Sequence, residues 1–256
     1  MPANPAQIVP VNNDIYRTLG DRWYEASDDP VALLRAESRL RNPWVAREIA
    51  QAFGERACNV LDVGCGAGFL SNSLAEAGHR VTGLDASSDA LRVAALHDST
   101  RSVQYQQGDA LQLPYPAGSF DVVCAMDFLE HVENPKQAIA EAARVLAPSG
   151  LFFFHTFNRN FMSWLIVIKG VSWFVRNTPR DLHVLRLFLK PEEVRDACSE
   201  HGLNSLELHG VRPQLGLAFW RMLLSRRVPA DFSFTFTPST RLGYSGIARK
   251  SGVTLG

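Results

Sequence analysis

Three alternate glycines, Gly64, Gly66 and Gly68, follow the apolar run Val60-Leu61-Asp62-Val63 and precede Phe69, Leu70, Leu74 and Ala77 at helical spacing. Glycine is needed where backbone turns with positive φ or approaches a ligand closely, and the helix that follows offers unpaired N–H groups at its start. The pattern predicts a strand, a nucleotide-binding turn and a helix. Its spacing is G-x-G-x-G, with Phe69 where a dinucleotide fingerprint has its third glycine, so a pyrophosphate ligand fits poorly. A second apolar run, Val81-Thr82-Gly83-Leu84, ends in Asp85, placed to accept hydrogen bonds from two vicinal ribose hydroxyls. Alone, Asp85 before Ser87-Ser88-Asp89 is equally a helix N-cap; its register with the glycines favours the nucleoside.

A further constellation is Met126-Asp127-Phe128-Leu129-Glu130-His131, directly after the apolar run Phe120-Asp121-Val122-Val123-Cys124-Ala125. That is where the carboxyl ends of parallel strands form a ligand crevice. If a helix begins at Phe128, Asp127 converges on one face with Glu130 and His131, three and four positions on. Two chemistries follow: His131 as general base with Glu130 orienting it, or Asp127, Glu130 and His131 together holding a divalent cation. Asp127-x-x-Glu130 also reads as a capping box, in which each side chain satisfies a backbone N–H at the helix start.

The elements that must position these residues alternate. Strands are expected near 58–63, 80–85, 103–107, 119–126 and 150–157, with helical segments between them, which indicates a parallel sheet covered by helices. Strands near 203–211 and across Gly243–Lys250 would complete it. The expected fold is therefore α/β: a seven-stranded, mostly parallel, Rossmann-like sheet with helices on both faces. Residues 1–256 form one expected domain: a loose tail to about 12, a helical cap at 13–54, a cofactor-binding core at 55–157, an apolar insertion at 158–190 and sheet completion at 191–256.

With 256 residues and 46% hydrophobic content the chain can bury one substantial core, and its 26 basic against 26 acidic residues argue against a broad nucleic-acid surface. Four cysteines without a C-x-x-C pair suggest reduced thiols and a cytoplasmic setting, and Met1-Pro2-Ala3-Asn4-Pro5 shows no secretory signal. Residues 161–175, FMSWLIVIKGVSWFV, are too short to span a bilayer, but with Lys169, Arg159, Arg176 and Arg180 they suit an interfacial segment. The alternative is a buried helix covering the active site. A second excursion, Leu215–Arg227, has the same apolar and basic character, and the pair favours a lipophilic ligand.

Asp62-Val63-Gly64-Cys65-Gly66-Ala67-Gly68, Asp85, Gly108-Asp109-Ala110 and Phe120-Asp121-Val122-Val123 resemble the successive motifs of the class I S-adenosylmethionine-dependent methyltransferases. The resemblance implies that Gly64, Gly66 and Gly68 pass under the methionine part of the cofactor, Asp85 holds the ribose, Asp109 and Ala110 meet the adenine and Met126 lies beneath its ring. Asp62, Cys65 and Ala86 join the implied cofactor set, Asp62 as organiser of the turn. Phe157-Asn158-Arg159-Asn160, Ser163-Trp164-Leu165, His183, Phe188-Leu189-Lys190-Pro191, Leu129-Glu130-His131-Val132 and Arg22-Trp23-Tyr24 are similar to the ubiquinone-biosynthesis O-methyltransferases, over about 14–195. That likeness implies S-adenosylmethionine-dependent O-methylation of a polyprenylated phenol or catechol, a divalent cation such as Mg2+, and an insertion that meets lipid at the inner membrane face. Asp127 stands where the family usually has Glu. The sequence also admits a methyltransferase for another small acceptor, or a catalytically silent cofactor-binding subunit. Arg39 or Arg41 could meet the cofactor carboxylate, and either could be a surface charge.

Overall fold

The structure is a computed structural model and describes residues 11–252, so the tail expected at 1–12 lies outside it up to residue 10. The chain begins with helices α1 (Ile15–Thr18), α2 (Arg22–Glu25) and α3 (Val31–Phe53), then alternates β1 (Asn59–Val63), α4 (Phe69–Glu76), β2 (Arg80–Asp85), α5 (Ser88–Leu96), β3 (Gln104–Gln107), β4 (Phe120–Met126), α6 (Pro135–Val145) and β5 (Leu146–Phe157). The insertion folds as α7 (Phe161–Ser163), a π-helical stretch (Trp164–Gly170) and α8 (Val171–Phe174). Helix α9 (Pro191–Glu200), β6 (Leu203–Pro213), α10 (Leu217–Ser225), β7 (Phe234–Thr237) and β8 (Gly243–Lys250) complete the fold.

The strands form one sheet in the order β3-β2-β1-β4-β5-β8-β6-β7, parallel from β3 to β5 and antiparallel at the three later pairings. The expected α/β class is the one observed, with eight strands in place of seven. The additional strand, β7, is the short run Phe234-Thr235-Phe236-Thr237 at the sheet edge, where it pairs with β6 alone. Four residues after an irregular apolar stretch carry too little alternation to announce a strand.

Period two along the central strands divides the core between the two faces. Leu61, Val63, Val123, Ala125, Phe152 and Phe154 pack on one side under Ile139 of α6 and Val194 of α9. Val60, Val122, Cys124, Leu151 and Phe153 pack on the other under Trp44 and Ile49 of α3 and Leu74 of α4. Burying such a side chain is worth roughly 1.5–3 kcal/mol, so the sheet is anchored where the site is built. Strand order reverses about β1, with β2 on one side and β4 on the other. The crevice beyond the carboxyl ends of β1, β2 and β4 is thus the fold's ligand site.

Candidate active site

A cavity of about 1170 Å³ opens at that crevice. A single small ligand takes roughly 300–1,000 Å³, so cofactor and acceptor can share it. Asp62, Gly64, Cys65, Gly66, Asp85, Ala86, Asp109, Ala110 and Met126 all line it. Gly68 lies behind the wall as the N-cap of α4, at φ +79°. Gly64 has φ +70°, and a Cβ there would stand 2.5 Å from Cδ2 of Phe128, so the turn requires glycine for both conformation and space. Asp85 Oδ2 accepts the Gly66 N–H at 2.9 Å and Oδ1 accepts the Ser87 N–H at 2.8 Å. Both oxygens are thereby fixed, and each keeps a lone pair for a further donor. Burial raises the Asp85 carboxyl, and the same backbone N–H groups oppose the rise.

Asp62 is buried and accepts a 2.6 Å hydrogen bond from Ser71 Oγ, tying the turn to α4. Burial pushes its carboxyl up to about 7. The Cys65 thiol is held well above its ordinary value by burial, which removes it as a nucleophile. All four cysteines are free and buried.

The second constellation departs from expectation. No α-helix starts at Phe128: the chain makes a three-residue 3-10 turn, Leu129–His131, with Phe128 as its N-cap and no side-chain cap, so the capping box is absent. Asp127 adopts φ +53°, the left-handed region that a non-glycine residue enters only when held there. What holds it is Arg41: Nη1 donates to Oδ1 at 2.8 Å and Nη2 to Oδ2. Burial pushes the Asp127 carboxyl up, but the Arg41 guanidinium outweighs it and leaves it below the usual range. Arg41 is itself only 2% exposed and lies 3.4 Å from Glu37, so it is no surface charge. Arg39 instead donates to the carbonyl of Phe232 at 2.7 Å.

The trio Asp127, Glu130 and His131 is therefore not gathered into one ligand set. Among the described residues, the acidic and histidine side chains whose ligand atoms all lie within 4.8 Å of one another are Glu37, Asp127 and His155. Glu130 is fully buried, with both carboxylate oxygens unpartnered next to the equally unpartnered Oγ1 of Thr156. Burial, reinforced by Asp127, pushes Glu130 up to about 8, so it is protonated at neutral pH.

His131 is half-buried against the cavity and does not take its orientation from Glu130. Its Nδ1 lies 3.0 Å from Oδ1 of Asn13, whose Nδ2 donates to the His131 carbonyl at 3.2 Å. Burial lowers the imidazole to about 4, so it is neutral at pH 7. Tyr16 meets its ring edge-on at 5.6 Å and His183 stands 5.4 Å away. His155 is buried behind the wall, 2.9 Å from Ser245 Oγ and 3.7 Å from Asp127.

Asn13, Tyr16 and Trp23 line the cavity without having been assigned a role from sequence, and Arg41, a candidate for the cofactor carboxylate, lines it with its guanidinium on Asp127. The pairing of Asn13 with His131 spans 118 positions, and no spacing rule reaches that far. An Arg at the interior of a helix, two positions before Pro43, was the available signal for Arg41. At the far end the walls are apolar: Leu165, Val167 and Val171 from the insertion, with Phe219, Met222 and Leu223 from α10. The two apolar excursions meet in one core cluster with Val175, Val211, Phe232 and Phe234. Both line the cavity on one side and expose large apolar groups on the other, among them Phe161, Leu217, Trp220 and Leu224. Among the described residues, no helix is long and apolar enough to cross a membrane.

Residues 61–154 match the family described as a methyltransferase domain. The ubiquinone biosynthesis O-methyltransferase of Aromatoleum aromaticum is 37% identical over 214 residues, 82% of this chain and 87% of that protein. The protein of the same name from Thiobacillus denitrificans is 37% identical over 230 residues, 88% of this chain and 94% of the relative. The chain belongs to this family. It is an S-adenosylmethionine-dependent O-methyltransferase, and S-adenosylmethionine is its cofactor. The silent-subunit reading is not favoured. Magnesium protoporphyrin IX methyltransferase from Synechocystis PCC 6803, solved with bound S-adenosylhomocysteine, shares the fold at a TM-score of 0.63 and 20% identity, covering 93% of this chain and 97% of its own.

The residues present fit that cofactor. A side chain at Gly64 would collide with Phe128, so only bare backbone can face a ligand there. The two fixed oxygens of Asp85 match a pair of vicinal hydroxyls in chemistry, being acceptors in need of donors.

Proposed function

We propose that this O-methyltransferase acts on a hydroxyl of a lipophilic, polyprenylated phenol or catechol in ubiquinone biosynthesis. The observation that carries this reading is the continuity of one cavity from the glycine turn to walls built by the two apolar excursions. In this reading Asp85 holds the ribose, Gly64 and Gly66 underlie the methionine part, Gly68 shapes the turn, and Asp109, Ala110 and Met126 surround the adenine. Asp62, Cys65 and Ala86 complete that wall.

A phenol with a pKa near 10 is mostly protonated at neutral pH. His131, neutral above about 4, receives the phenolic proton, and Glu130 contributes as a buried, uncharged neighbour. When bound, S-adenosylmethionine would supply the methyl group to the phenolic oxygen as an electrophile, its sulfur retaining the bonding pair. An imidazole this weakly basic takes the proton as the methyl transfers rather than beforehand.

A second reading includes a divalent cation, and one observation favours it: Glu130 keeps two unpartnered, fully buried oxygens. As arranged, Asp127 commits both oxygens to Arg41, so a cation held by Asp127, Glu130 and His131 requires that pair to open. When bound, it would acidify the acceptor hydroxyl.

The exposed apolar face beside Arg176, Arg226 and Arg227 supports a peripheral position on the inner face of a membrane, with the protein otherwise cytoplasmic. The deciding experiment is mass-spectrometric detection of methyl transfer to a short-chain prenylated catechol and to its tail-free counterpart, each with magnesium or chelator. Higher kcat/KM for the tailed acceptor is expected. Equal values would discard the lipophilic assignment. Activity in excess chelator selects the base reading, and a strict magnesium requirement selects the cation reading.

A further inference from the structure

Neutral imidazole carries its proton on one ring nitrogen or the other, and the hydrogen bond made by the first decides which lone pair the second presents. At His131 that choice is already made by a residue near the start of the chain. Asn13 touches His131 at two points: Nδ2 donates to the His131 carbonyl at 3.2 Å, and Oδ1 faces Nδ1 at 3.0 Å. The first contact requires the amide N–H₂ to point at the carbonyl, which leaves the amide oxygen toward the ring. An amide oxygen only accepts. Nδ1 must therefore carry the proton.

We infer that Asn13 is the positioning residue for His131, fixing the Nδ1–H tautomer so that Nε2 is the nitrogen that receives the acceptor's proton. The inference rests on the proposed role of His131 as base, and adds the group that aims it.

The surroundings make Asn13 more than a chance neighbour. The preceding residue ties the same strap to the insertion: the Asn12 N–H donates to the Asp181 carbonyl at 2.9 Å, and its Nδ2 to the Arg180 carbonyl at 3.2 Å. Three residues further on, Tyr16 stacks on Trp23 at 5.5 Å while presenting its ring to His131. His131 Nε2 makes no hydrogen bond among the described residues, and the side chain lines the cavity. The strap thus arrives at the imidazole already anchored on both sides, and only the Nδ1 edge is engaged. Glu130, adjacent in sequence, makes no hydrogen bond to the ring and cannot substitute.

The test uses the full chain with ¹⁵N-labelled histidine, loaded with S-adenosylhomocysteine, and reads the imidazole nitrogen shifts of His131 by NMR. The wild type is expected to show a protonated Nδ1 and a bare Nε2. Asn13→Ala should shift His131 toward the Nε2–H form and lower kcat by about 10- to 100-fold, within the range of a misaligned general base, with KM for S-adenosylmethionine changed less than about twofold. Asn13→Asp keeps an accepting oxygen and should restore the Nδ1–H signature. An Nε2–H tautomer in the wild type, or unchanged shifts in Asn13→Ala, overturns the inference. If His131→Ala retained full activity, the base reading would fail while the tautomer result stood, so the two failures are distinguishable.

Discussion

At the scale of single residues, Asp85, which holds the ribose in the proposed reading, has its side chain committed in advance. Its two oxygens are fixed by backbone donors from Gly66 and Ser87, at 2.9 and 2.8 Å, so no reorganisation is needed on binding. Asp85→Ala removes two charge-assisted acceptors and frees the glycine turn. Affinity for S-adenosylhomocysteine should fall by about 10- to 100-fold, equivalent to ~1.4–2.7 kcal/mol. Titration calorimetry checks this, and an unchanged Kd would remove Asp85 from the cofactor site. The same residue illustrates what sequence can carry. The glycine turn and the strand ending at Asp85 were legible because glycine spacing and the apolar runs before them are local signals. Asp127 was not: its conformation is set by Arg41, 86 positions away, which converted an expected helix start into a left-handed residue followed by a short 3-10 turn.

At the scale of elements, α3 and the turn after β4 each bring one buried carboxylic acid to the Arg41–Asp127 pair. Burial pushes Glu37 and Glu130 both up to about 8 from an ordinary 4.5. Between those values the unfolded chain releases protons that the folded protein keeps. Each group therefore stabilises the fold fully below about 4.5, and that contribution is lost as pH rises to about 8. His131, His155 and His183, each lowered by burial from an ordinary 6.5, act in the opposite sense below that value, so melting temperature should fall from about pH 6.5 to pH 8. Glu130→Gln, which mimics the protonated acid, should flatten the slope by at most about 1.4 kcal/mol per pH unit. A variant with the wild-type slope would mean that Glu130 ionises in the fold without penalty. The alternation of strands and helices was legible from periodicity throughout the cofactor half. The four-residue β7 and the joining of the two excursions were not, because they depend on which surfaces meet after the sheet has formed.

At the scale of the molecule, one apolar assembly has two faces. Its inner side walls the cavity, while outside it leaves Leu217 84% and Trp220 57% exposed, a combination that suits contact with an acyl boundary. Replacing both by Asp should reduce co-sedimentation with anionic phospholipid vesicles by more than about half, with S-adenosylhomocysteine binding retained. Equal sedimentation would exclude this face as the lipid contact. The chain order of the cavity carries a further consequence. In the proposed reading, the cofactor-facing positions between Asp62 and Met126 are separate in sequence from the apolar walls between Leu165 and Phe234. In evolutionary terms, the methyl donor and the acceptor are then encoded by different stretches of one gene. Insertion, duplication or recombination in the second stretch can retune which acceptor is admitted while the inherited donor chemistry is left untouched.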